Sequence, residues 1–290
     1  MTRQTLVLFL FASAVAAGTV VDRATPAPAR VLDGYHVLAA DLHVHSFPFT
    51  WSSVSPCGTV LEAKYRALDA IAMTPHNQIW AGELGRWCSE ILGGPMVLVG
   101  EEITTGGYHL IAAGISSFVE PGKLSSVIDA IHAQGGVAIA AHPYEDAWPS
   151  FDDEVLEKLD GAEVVRPEAQ HDERMAAQLR AFFGRAPLTA IGSSDYHGLG
   201  PVGYSRTYVF ARERTGRAVL DAVREGRTVV YDRDRVYGDP GMIQIAERHG
   251  GLPRDVPQIP VPGAARAFSH VAAVVALLGA LFFNRWGRAD

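Results

Sequence analysis

An α/β barrel is the fold class this sequence predicts, and three observations carry the expectation. Between about residues 33 and 231, apolar runs of strand length alternate with stretches of helical spacing. About seven βα units can be read this way, which favours a parallel sheet with right-handed crossovers, closed into a barrel rather than left open and doubly wound. Histidine-bearing motifs stand at the ends of those runs, and barrels of this kind gather their chemistry at the carboxyl ends of the strands.

Residues 37–42 read as a strand leading into His43-Val44-His45, and residues 60–68 as a helix. The strand 70–74 runs into Pro75-His76-Asn77. Residues 96–99 form a strand ending near Glu101-Glu102, and 109–115 form another, with His109 at its start. Helical spacing over 124–133 stops at Gln134-Gly135-Gly136, a C-cap signal, and the strand 137–141 delivers His142 before Pro143. A short helix at 152–158, a strand at 162–165 and a helix at 174–183 stopped by Gly184 come next. The strand 188–191 runs into Ser194-Asp195-Tyr196-His197, after which 204–210 reads as a strand and 217–224 as a helix.

At 290 residues, with 48% hydrophobic and 20% charged content, the chain can bury one large core. Its net charge of −7 argues against a stable nucleic-acid complex held by a basic surface. Both ends differ from the middle. Arg3 precedes an apolar run with small residues at Ala14, Ala16 and Ala17, so a signal peptide or N-terminal anchor is expected over residues 1–22. A metallohydrolase domain over 33–232 and a Pro/Gly-rich linker or extension over 233–264 lead to an apolar run at 267–283. At about 1.5 Å rise per residue, that run is just long enough for a transmembrane helix. Arg285, Trp286 and Arg288 after it suit the cytoplasmic interface, which puts the catalytic domain on the extracytoplasmic side of a membrane. Cys57 and Cys88 can pair in an oxidising compartment or stay independent, and spacing does not decide between these.

Neutral imidazoles and carboxylates bind Zn, Mn and Fe. His43, His45, His76, His109, His142 and His197, with Glu102 and Asp195, are therefore candidate donors of a divalent-metal hydrolase. Arg166, just past the strand 162–165, is a candidate phosphate clamp, because a guanidinium binds phosphate oxygens as a bidentate fork. His36, His132, His171, His249 and His270 lie outside such motifs and are read as ordinary histidines.

The succession Asp41-Leu42-His43-Val44-His45-Ser46, Thr74-Pro75-His76-Asn77, Gly100-Glu101-Glu102-Ile103-Thr104, Gly107-Tyr108-His109, Ala141-His142-Pro143 and Ser193-Ser194-Asp195-Tyr196-His197 resembles the PHP (polymerase and histidinol phosphatase) superfamily over roughly residues 40–210. The Glu-Glu-Ile-Thr and Gly-Tyr-His pair is similar to a subgroup containing nucleotide-bisphosphate phosphatases and carbamate-hydrolase-like members. The resemblance implies a distorted (β/α)7 TIM-like barrel holding two or three divalent ions, Mn, Fe or Zn. It implies that His43 and His45 bind one ion with Asp195, that Glu102 bridges two, and that His76 and His142 bind the second. His197 and His109 then complete a further position or contact substrate phosphate. The chain departs from the pattern at Thr50 and Trp51, where many members carry an Asp or His ligand, and at Pro75, where many carry an Asp.

Two cations about 3.5–4 Å apart activate a bridging water and clamp phosphoryl oxygens. The leading expectation is a metal-dependent phosphoesterase acting on a small phosphomonoester, with a nucleoside 3′,5′-bisphosphate among the candidates. Hydroxide from the metal centre is the expected nucleophile, with His197 or His109 protonating the leaving alkoxide. Two alternatives use the same residues: attack on an ester, amide or carbamate carbon, and a tethered metal-binding ectodomain without catalysis. Substrate selection is expected in the loops 47–58 and 144–150.

Overall fold

The structure, a computed structural model, describes residues 30–47, 52–198 and 200–254, together with Thr5, Phe9 and Ala12. Among these no helix is long and apolar enough to cross a membrane. The apolar run at 267–283, expected to cross a membrane, and almost all of the N-terminal run lie outside the described residues.

The strands are β1 (Val31–Leu32), β2 (Tyr35–Val44), β3 (Ala70–Met73), β4 (Met96–Thr104), β5 (His109–Ala113), β6 (Val137–Ala140), β7 (Gly161–Val165), β8 (Thr189–Gly192), β9 (Thr207–Ala211), β10 (Thr228–Asp232) and β11 (Arg235–Gly238). They form one sheet in the order β11-β10-β9-β2-β3-β4-β5-β6-β7-β8, with β1 paired to β2. The sheet curls until its ends meet. Gly192 N donates to Thr207 Oγ1 at 2.9 Å, and Thr228 Oγ1 donates to Ala190 O at 2.9 Å, so threonine hydroxyls close the barrel where a backbone ladder would otherwise run. A Cβ on Gly192 would stand 2.6 Å from Val230 Cγ1, so this seam needs a glycine.

The sheet is not purely parallel, as the repeated βα reading expected. β2, β3 and β4 run parallel, as do β6, β7 and β8, but β5 is antiparallel to both β4 and β6, and β9 is antiparallel to β2. The reversal of β5 follows from its link to β4, a tight hairpin in which Thr105 Oγ1 accepts the N–H groups of Gly107 and Tyr108. Four residues leave no room for a crossover helix. The start of β5 thus lies beside the ends of β4 and β6.

The helices are α1 (Pro56–Tyr65), α2 (Trp80–Leu92), α3 (Leu124–Ala133), α4 (Asp153–Lys158), α5 (Glu173–Phe183), α6 (Gly216–Arg224) and α7 (Pro240–Arg248). Side-chain caps start most of them: Ser55, Asp152, Asp172, Thr215 and Asp239 each accept from a backbone N–H in the first turn. The helix α2 escaped sequence reading because Gly82 and Gly85 weaken its helical signal. Both glycines sit in close packing, since added Cβ atoms would stand 3.1 Å from Val99 Cα and 2.7 Å from Met73 Cε. Cys57 on α1 and Cys88 on α2 form a disulfide, so the sequence's open alternative resolves as a staple between these two helices.

Alternation along β2 sends Leu38, Ala40 and Leu42 into the barrel and Val37, Ala39 and Val44 outward onto α1 and α2. One end of the barrel is plugged by α6, whose Val219, Leu220 and Val223 join the interior core. Thr189 Oγ1 donates to Val223 O at 2.7 Å and Arg224 Nη2 to Gly136 O at 2.9 Å, which puts α6 at the amino ends of β6 and β8. The opposite end stays open. Residues 235–252, read from sequence as part of a linker, are folded: Ile245, Ala246 and Leu252 are buried with Tyr208, Phe210 and Val229. Proline at the first turn of α7 marks a helix start, which composition alone reads as a linker.

Candidate metal centre

Six segments deliver the donors to the open end. A register irregularity between Asp41 and Val44 re-aims the end of β2, carrying His43 and His45. His45 N donates to Tyr196 O at 2.9 Å, which docks this strand end against the loop of Asp195 and His197. Asp41 secures that loop from below, accepting from Ser194 N at 3.1 Å and Gly203 N at 2.7 Å. Burial pushes the Asp41 carboxyl up to about 6, against the pull of these donors. Asn77 pins the His76 turn to β4, its Oδ1 accepting from Thr104 N at 2.9 Å and its Nδ2 donating to Thr104 O at 3.1 Å.

The sequence candidates converge as three groups of donor atoms, each within 4.8 Å: His43, His45, Glu102 and Asp195; Glu102, His109 and His142; and His45, His76 and His197. Glu102 is the hub. Its Oε2 lies 2.8 Å from His76 Nδ1, 3.3 Å from His45 Nε2 and 3.4 Å from His43 Nε2. Its Oε1 lies 2.7 Å from His109 Nδ1 and 3.1 Å from His142 Nε2. Asp195 Oδ1 lies 3.1 Å from His45 Nε2 and 3.2 Å from His43 Nε2.

Glu102 Oε2 and Asp195 Oδ1 are buried and make no hydrogen bond, although ring nitrogens stand this close. His43 Nε2 and His45 Nε2 face each other at 3.0 Å. Imidazoles and carboxylates crowded this closely in a dry site are the donor set that a divalent ion takes, so these residues fit divalent ions. Two of the donors sit on strained backbone, Asp195 at φ 46° and His142 at φ 28°. Positive φ costs a non-glycine residue about 1–3 kcal/mol and persists where the surroundings impose it.

Burial opposes charge on His43, but Asp195, Glu163 and Glu102 together outweigh it and raise its pKa well above the imidazole range. Burial likewise works against the carboxylates, yet His43 with its neighbouring histidines, and Arg166 beside Asp195, hold Glu102 and Asp195 well below the usual range.

Glu163 carries no role in the sequence reading. It is fully buried on β7, its Oε1 2.8 Å from His43 Nδ1 and its Oε2 accepting from His142 N at 2.6 Å, and Ser193 Oγ donates to it as well. An ionised carboxylate only accepts, so it keeps the ring proton of His43 on Nδ1 and turns Nε2 toward the centre. A signal existed in the chain: an acid inside the apolar strand Gly161–Val165.

The structure divides the donors differently from the resemblance. His76 and His142, expected on one ion, fall in different groups, because β3 delivers one and β6 the other to opposite sides of Glu102. His109 joins a donor group because β5 runs backwards. Arg166, expected as a phosphate clamp, is 7% exposed with its fork already taken, Nη2 on Asp195 Oδ2 at 2.6 Å and Nε on Glu168 Oε2 at 2.9 Å. His132 and His249 pair with Asp160 and Asp33, away from the centre.

An uncharacterized protein of Methanocaldococcus jannaschii is 30% identical over 139 residues, 81% of that protein and 44% of this chain. A solved two-domain protein from Bacteroides vulgatus, described as containing a predicted PHP-like metal-dependent phosphoesterase, superposes with a TM-score of 0.58 at 25% identity. The overlap covers 76% of this chain and 72% of that one. The chain is thus similar in structure to a PHP-like metal-dependent phosphoesterase. No family profile matches the sequence. That similarity agrees with the nearly closed mixed barrel and with the candidate donor groups at its open end.

Proposed function

We propose that this protein is a metal-dependent hydrolase of small phosphomonoesters. The observation that carries the reading is the convergence of three overlapping donor groups on Glu102 and His45 at the open end of a PHP-like barrel. When bound, divalent ions supply an activated water and offset the charge of phosphoryl oxygens. His43, His45, Glu102 and Asp195 would hold one ion, Glu102, His109 and His142 a second, and His45, His76 and His197 a third. Glu163 orients His43, and Arg166 orients Asp195. His197 Nδ1 is engaged by Asp195 O at 2.8 Å, and burial followed by the neighbouring His45 lowers its pKa. A neutral ring with its proton on Nδ1 offers Nε2 as a ligand, so ion holding, and not proton donation, is the part we assign to His197. His109 we likewise assign to ion holding.

The test is metal analysis of the purified protein followed by turnover of p-nitrophenyl phosphate and p-nitrophenyl acetate. Phosphate release that scales with bound metal, stops with chelator and returns on reloading is the expected result. Cleavage of the acetate alone would move the chemistry to carbon, and tight metal binding with neither turnover would leave a binding domain.

We also propose that the domain lies on the extracytoplasmic side of a membrane, tethered by the apolar run 267–283. The Cys57–Cys88 bond supports this, since disulfides persist in oxidising compartments. Deleting residues 267–290 should move the protein from the membrane pellet to the soluble fraction; retention in the pellet would refute the tether.

A further inference from the structure

A cavity of about 490 Å³ opens beside the centre and shares Asp195 and His197 with it. That volume falls in the range of small-molecule sites. Pro167, Pro201 and Tyr204 give it apolar walls, and Tyr204 is 41% exposed. The carboxylates among its lining are Asp195 and Glu168, and none of the described lining residues is Lys or Arg. The guanidinium behind this wall, Arg166, is spent on those same two carboxylates.

We propose that this cavity takes the leaving group of the substrate and selects an uncharged, ring-bearing alcohol, a nucleoside or aryl group, over one that carries a second phosphate. The inference rests on the phosphomonoesterase reading. With the phosphoryl group at the end bounded by Asp195 and His197, the rest of the substrate meets a tyrosine ring between two prolines. A second phosphate in the same space would meet the carboxylate of Glu168 and, among the described lining, no guanidinium or ammonium group, only the imidazoles of His171 and His197. A planar ring meets an aromatic face that it can stack on. In the reaction, the oxygen of water bonds to phosphorus and the phosphorus–oxygen ester bond breaks. The alkoxide leaves with a proton from that water, giving the alcohol and inorganic phosphate. The nucleoside bisphosphate suggested by the sequence motifs is therefore the disfavoured substrate.

The experiment compares kcat/KM of the metal-loaded full chain on adenosine 5′-monophosphate, adenosine 3′,5′-bisphosphate and glycerol phosphate, for wild type and Tyr204→Ala. We expect the monophosphate to be preferred over the bisphosphate roughly twofold to fivefold, the size of a solvent-screened charge contact at the half-exposed Glu168. Tyr204→Ala should lower the ratio of adenosine monophosphate to glycerol phosphate turnover roughly threefold to tenfold, through KM. Preference for the bisphosphate, or an unchanged ratio in Tyr204→Ala, would overturn the proposal. If no phosphate ester is cleaved, the phosphomonoesterase reading fails, and calorimetry with adenosine alone still decides on the cavity. Binding that weakens in Tyr204→Ala supports it, and no binding to the wild type overturns it.

Discussion

The two flanks of the metal centre are built from different donors. On the β4–β5–β6 side, His109 and His142 share the carboxylate of Glu102, whereas on the β2–β3–β8 side His45, His76 and His197 form a group of imidazoles alone. The first group includes a carboxylate as donor, while the second has carboxylates only beside its imidazoles, Glu102 Oε2 standing 2.8 Å from His76 Nδ1. This chain has Pro75 where many relatives by motif carry an Asp, so the flank built from His76 matches a departure seen in sequence. Charge in a buried site decides how tightly a cation is held. The comparison teaches that one ion position is expected to be weaker than the others.

The largest effect should come from Glu102→Ala, which removes the donor common to two groups. Bound metal should fall to about one ion per chain or fewer and turnover by roughly a thousandfold or more, given how much a two-metal clamp supplies. Full occupancy with a normal rate, by elemental analysis and steady-state assay, would remove Glu102 as hub. Next come His142→Ala and His197→Ala. In a chelator titration, His142→Ala should lose a tightly held ion, while His197→Ala should lose only the ion that wild type releases first. Equal loss from both variants would break the distinction between the flanks.

A smaller effect is expected for Glu163→Gln, which leaves every donor in place but loosens the ring of His43. Metal affinity should drop about 10–100-fold. The acid denaturation of metal-free protein gives a second readout. Burial raises the Glu163 carboxyl, but His43 outweighs it and holds the group at about 2, below its ordinary 4.5. A depressed carboxyl contributes stability that is complete above the unfolded value and is lost as pH falls from about 4.5 to about 2. Glu163→Gln should flatten that part of the curve, and an unaltered curve with unaltered affinity would reduce Glu163 to filler.

Elements with local signals were legible in the chain. Helix α3 has the bounds its periodicity and C-cap predict, and β3, β6 and β7 lie within a residue of their expected positions. Helix α2 was hidden because Gly82 and Gly85 serve a contact with β3 and β4 that the local sequence does not reveal. Glu101 and Glu102 were placed after a strand, yet β4 runs on through them to Thr104, since its hairpin with β5 extends the pairing. The donor set itself was readable because imidazoles at strand ends recur as motifs, while Glu163 acts through one buried hydrogen-bonded pair and repeats nowhere.

By itself the sequence determined the α/β class, most strand and helix positions and the candidate donors, because periodicity, caps and short motifs are properties of neighbouring residues. Only the tertiary structure decided that β5 turns back to bring His109 to the centre, that His76 and His142 part to opposite sides of Glu102, that Arg166 is consumed by Asp195 and Glu168, and that Cys57 meets Cys88. Each of these depends on where strand ends from distant parts of the chain come together, and that is fixed by the closing of the sheet.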